Sequence, residues 1–120
     1  MWDKKVAVAY FNSHAKIASH GKCAEYVRKA IEAGGLHLHR HVSAKDYGDS
    51  LAAAGFSVQA TSLFAAGDVV VIQPITGHPH GHIAMYNGAK WVSDFKQNQD
   101  MYPSSSYRKM KPAVEIYRHP

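Results

Sequence analysis

The chain has 120 residues, 46% of them hydrophobic, with a formal charge of +5 at neutral pH and a pI of about 9.4. That length suits one domain, 1–120, around one core, and that apolar share excludes a disordered chain. No apolar run approaches a membrane span, the first residues lack the apolar core of a secretory signal, and no basic arm or basic–aromatic interleaving marks a nucleic-acid surface. The expectation is a monomer made in the cytoplasm without a cleavable signal, with no membrane insertion and no nucleic-acid partner. Its basic surface suits an anionic polymer.

Residues 3–15 read as a helix, since Val6, Ala9, Tyr10 and Ser13 share one helical face. Residues 16–22 are a polar connection broken at Ser19-His20-Gly21. Cys23, Tyr26, Val27, Ala30 and Ile31 then fall at i, i+3, i+4, i+7 and i+8, the face of an amphipathic helix that ends at Gly34-Gly35. Residues 36–42 read as an extended connector. Ser43 is placed to cap a short helix through Leu51 to Ala54, closed by Gly55. Residues 56–66 read as loop. Val69 to Ile72 is a buried β-branched strand ending at Pro74. A Gly-, His- and Pro-rich loop over 75–81 leads to a strand His82–Tyr86, an Asn87-Gly88 hairpin turn and a returning strand Trp91–Phe95. Residues 101–112 read as loop and Val114–Tyr117 as a last strand. Helices first and a mainly antiparallel sheet second is the α+β order.

The single cysteine excludes an intramolecular disulfide. Cys23 stands in the first turn of a helix, where the partial positive charge favours a thiolate and free N–H groups can meet an oxyanion. A base on a rigid element completes a nucleophilic pair. His82 opens a strand directly after Gly81 and is the candidate. The hairpin brings the returning strand alongside, which makes Asp94 the candidate to orient the imidazole, with Gln97 second. Gly21, Lys22, His80, Gly81 and Gln97 are the candidate substrate-binding positions.

Ser19 to Arg28, with its Gly21-Lys22-Cys23-Ala24-Glu25 centre, resembles the cysteine motif of CHAP domains. Gly67-Asp68-Val69-Val70-Val71-Ile72 followed by Gly81-His82-Ile83-Ala84-Met85-Tyr86 resembles the histidine half of CHAP and NlpC-type peptidases. Trp91-Val92-Ser93-Asp94 resembles the strand that carries their third residue. The matches run in the family's order over residues 19–97. The resemblance implies a papain-like fold, N-terminal helices packed on the sheet, and cysteine hydrolysis of peptidoglycan amides by Cys23, His82 and Asp94; no cofactor is expected, and no metal, since the histidine runs lack carboxylate or thiolate partners at a recognisable spacing. Many CHAP domains carry Gln just before the cysteine, where this chain has Lys22; Tyr10 or Asn12 are the alternative oxyanion donors. The lone compact form is also similar to amidase effectors of type VI secretion systems, and next to phage lysins. That implies export, action on the periplasmic wall of a target bacterium, a secretion apparatus and an immunity protein as partner.

Two rival readings stand beside this one. His37, His39 and His41, and again His78, His80 and His82, form H-x-H-x-H runs, so a histidine-rich metal-binding or interaction module with a structural Cys23 is one. A cysteine hydrolase of protein or a small amide is the other.

Overall fold

The computed structural model describes residues 2–14, 23–41, 43–61, 63–93, 95, 97 and 100–120. Helix α1, Lys4–His14, starts where Asp3 caps it: the Asp3 carboxylate accepts from the N–H of Lys5 and of Val6 at 3.1 and 3.2 Å. Helix α2, Cys23–Ala33, has Val27, Ala30 and Ile31 fully buried. It ends in a Schellman turn at Gly35 (φ 102°), with the N–H of Leu36 returning to the Ile31 carbonyl and that of Gly35 to Glu32. The Asp3 N–H donates to the Gly34 carbonyl at 2.6 Å, which fixes the start of α1 to the end of α2.

The short helix expected from Ser43 is two pieces, a 3-10 turn Ala44–Asp46 and α3, Gly48–Ala53. Ser43 does not cap it through its side chain. Its hydroxyl bonds the ring of His80 instead, at 2.5 Å.

Five strands form one antiparallel sheet in the order β1-β5-β2-β3-β4: β1 Ser57–Gln59, β2 Val69–Ile72, β3 His82–Tyr86, β4 Trp91–Val92 and β5 Val114–Arg118. The expected loop over 56–66 therefore contains a strand, and the returning strand pairs over only its first part. The expected loop over 101–112 contains a helix, α4, Ser105–Met110, whose N-cap Ser104 accepts from the Tyr107 N–H.

β2 is buried along its whole length because both faces of the sheet are covered. Val69, Val71, Ile83 and Met85 pack with α1 and α2 residues such as Ala7, Val27 and Ile31. Val70, Ile72 and Ala84 pack on the other face with Trp91, Tyr107 and Ile116. That alternation follows from the period of two along a strand. Asp68, fully buried at the start of β2, is held by the Arg118 guanidinium through two 2.8 Å bonds and by the Ala65 N–H at 2.9 Å. No helix among the described residues is long and apolar enough to cross a membrane.

Candidate active site

A cleft of about 770 Å³ opens where β3 begins, within the size range of small-molecule sites. Cys23 and His82 both line it. They arrive from opposite sides of the sheet. Cys23, the first residue of α2, is half-buried against the cluster under the helices. His82 pairs with Ile72 in the ladder and shares the parity of Ala84, on the second cluster's face. The alternation of a strand and the period of a helix thus meet at one end of the sheet.

His82 is only 6% exposed, and its Nε2 lies 2.8 Å from Oε1 of Gln97. The roles in this bond follow from the rest of the Gln97 amide. Its Nε2 donates to the carbonyls of Asp100 and Met101, at 3.0 and 2.8 Å. Both hydrogens of that amide nitrogen meet acceptors, so Oε1 faces His82 and accepts. His82 therefore carries its neutral-state proton on Nε2, and Nδ1 keeps the lone pair a base needs. Gln97 is itself 3% exposed and anchored by its N–H on the Trp91 carbonyl at 2.9 Å. Gln97, expected mainly to serve the substrate, is thus a direct partner of the imidazole. Gly21, Lys22 and Asp94 lie outside the described residues.

The loop before His82 is an ordered series of turns, with the His78 N–H on the Ile75 carbonyl at 2.9 Å. His80 lines the cleft, tied by its ring to Ser43 and by its carbonyl to the Lys45 N–H at 2.9 Å. Gly81 has φ 70°, and a Cβ there would run into the Ile72 carbonyl. Gly81→Ala is expected to lower unfolding free energy by about 1–3 kcal/mol and to displace His82. Urea denaturation and the rate of Cys23 alkylation measure the two effects.

Other residues of the cleft were not singled out by sequence. Arg40 lines it and, among the described residues, has no carboxylate partner. Arg28 also lines it, paired with Glu32 at 2.8 Å. Tyr107 comes from α4, a six-residue helix with too few positions to show a period. The Ser104 cap following Pro103 was its one local signal. Tyr10 and Asn12, considered as oxyanion donors, do not line the cleft; Asn12 accepts from Asn87 at 3.0 Å, away at the hairpin. Among the described residues no three of His, Cys, Asp and Glu converge in a way that could hold a metal ion. The rings of His41 and His80 are instead bonded to Ser50 and Ser43, at 2.7 and 2.5 Å.

If Gln97 holds the imidazole, Gln97→Ala should lower kcat about 10–100-fold by loosening its aim and leave KM nearly unchanged. An unchanged kcat would remove Gln97 from the site.

The chain is similar to the type VI effector Tae3 from Ralstonia pickettii, solved in a native effector–immunity complex with Tai3. The two are 52% identical over 99% of this chain and 100% of that one, with a TM-score of 0.95. A selenomethionine structure of that complex matches with 55% identity over 93% of this chain and 98% of that one, at TM-score 0.89. The structure of Ly7917 shares the fold at 18% identity and TM-score 0.63, over 98% of this chain and 62% of that one. No protein-family model and no curated protein matches the chain.

Proposed function

The chain belongs to the Tae3 family of type VI effectors, and from that premise we propose that it is a cysteine amidase of the bacterial cell wall. In this reading residues 1–120 are one papain-like domain of the CHAP and NlpC kind, which hydrolyses a stem-peptide amide of peptidoglycan. The observation that carries it is the buried Gln97–His82 hydrogen bond at the cleft that Cys23 and His82 line together. A buried imidazole held at Nε2, in a cleft shared with the first residue of a helix, is an arrangement that suits a thiol nucleophile.

His82 Nδ1 takes the thiol proton. The thiolate adds to the amide carbonyl, and the imidazolium protonates the departing amine. Water then gives a proton to His82 and its oxygen to the acyl group, which frees the Cys23 thiolate as the leaving group. Gln97 keeps the imidazole aimed through both steps; Asp94 is proposed to assist it. Gly21, Lys22, His80 and Gly81 are proposed to hold the peptide. Arg40 suits a stem-peptide carboxylate, because it lines the cleft and, among the described residues, has no carboxylate partner.

The relatives were solved as effector–immunity complexes. A cognate immunity protein that covers the cleft is proposed for this chain too, with delivery by a type VI apparatus to the periplasm of a target cell. Mass analysis of fragments released from purified sacculi tests the reading. New amine and carboxyl ends within stem peptides are expected. Release of no fragments, or of fragments cut only in the glycan, would overturn it.

A further inference from the structure

Tyr107 is 3% exposed, one of the largest side chains of the second core cluster, yet it also lines the cleft. Its ring lies 6.2 Å from that of His82 and 5.4 Å from that of His78, centroid to centroid. The backbone holds it firmly: its N–H meets the Ser104 side chain, and its carbonyl accepts from the Lys111 N–H at 2.8 Å. The hydroxyl is different. Among the described residues it has no hydrogen-bond partner, while no fully buried side-chain oxygen or nitrogen lacks one. The phenol oxygen is therefore the part of Tyr107 that reaches the open cleft. A ring held in the core that presents its O–H to the open cleft, where no protein group is bonded to it, leaves that donor available to whatever enters the cleft.

We propose that the Tyr107 hydroxyl is an oxyanion donor, which hydrogen-bonds the carbonyl oxygen of the scissile amide as Cys23 adds to it. This rests on the amidase reading above. When the Cys23–carbon bond forms, the carbonyl π pair moves to oxygen, and the phenol O–H donates to that charge without giving up its proton. The charge returns to the carbon–oxygen double bond as the amine leaves with the proton from His82. Burial, and then the nearby Cys23 charge, push the Tyr107 phenol above its ordinary range, so it stays protonated and able to donate. The role fills the gap left by Lys22 in place of a glutamine and by Tyr10 and Asn12, which do not line the cleft.

Tyr107→Phe removes only the hydroxyl. The expected result is a fall in kcat of about 100-fold with KM changed less than about twofold. The thermal midpoint should hold, since the hydroxyl has no partner within the described fold. The rate of Cys23 alkylation by iodoacetamide should also hold, because that reaction develops no oxyanion. An unchanged kcat would overturn the proposal. So would an alkylation rate that falls in step with kcat, which would make Tyr107 a positioning residue for the thiolate, or a lowered midpoint, which would make the hydroxyl structural. Wild-type protein and Cys23→Ala are run on the same sacculi. If the wild type releases no stem-peptide fragments, the amidase reading fails and this proposal with it; if it does and Tyr107→Phe equals it, only the role of Tyr107 fails.

Discussion

Cys23→Ala is expected to end release of stem-peptide fragments, a loss of at least about 10⁴-fold in kcat, while the protein stays folded. The size of the effect follows from the chemistry. Without the sulfur no acyl-enzyme forms, and water must attack the amide directly. The stability cost is small because Cys23 is only half-buried, at the rim of the core and not within it. Binding to sacculi should persist, since Arg40, His80 and the rest of the cleft wall are untouched. Loss of hydrolysis with retained binding and an unchanged circular dichroism spectrum separates a missing nucleophile from a broken fold.

His82→Ala is expected to lower kcat by about 10³-fold. It also has a signature that does not depend on the wall. Without the imidazole, Cys23 keeps only the help of the helix N-terminus, so its thiolate fraction at pH 7 falls and its alkylation should slow by about tenfold. At pH 10, where an ordinary thiol is ionised, the mutant and wild-type rates should converge. A merely structural His82 would leave the pH profile in place. The substitution also strips Gln97 Oε1 of a donor in a buried position, so a modest fall in stability should accompany it.

The strongest local patterns marked the elements that carry the two principal residues. The helical period over residues 23–31 placed Cys23 at the start of α2, and the β-branched run of β2 with the Asn87-Gly88 turn framed β3 behind His82. What escaped depends on distant partners. β1 is an edge strand whose central Val58 is 55% exposed, so it has no buried face to pattern; it exists because β5 pairs with it. α4 is short, and its place is set by Tyr107 packing on β2, β3 and β5 residues far away in sequence. The part played by Gln97 was hidden for the same reason. Beyond β4 the chain turns back on itself, with the Ser93 N–H on the Phe95 carbonyl and the Gln97 N–H on the Trp91 carbonyl, both at 2.9 Å. A continuous hairpin was the expectation that favoured Asp94. The observed turn brings Gln97 to the imidazole, and Asp94 lies outside the described residues. Ser43 shows the same limit on a smaller scale: a good capping residue in sequence, it bonds His80 across the cleft wall instead.

The chain holds one cysteine, so a thiol reagent has one target. The most direct test is therefore a titration: iodoacetamide is added in steps, the fraction of Cys23 labelled is read by intact mass, and the residual rate of stem-peptide cleavage in sacculi is measured on the same samples. The rate should fall in proportion to labelling and reach zero at one label per chain. A fully labelled protein that still cleaves the wall would contradict Cys23 as the nucleophile.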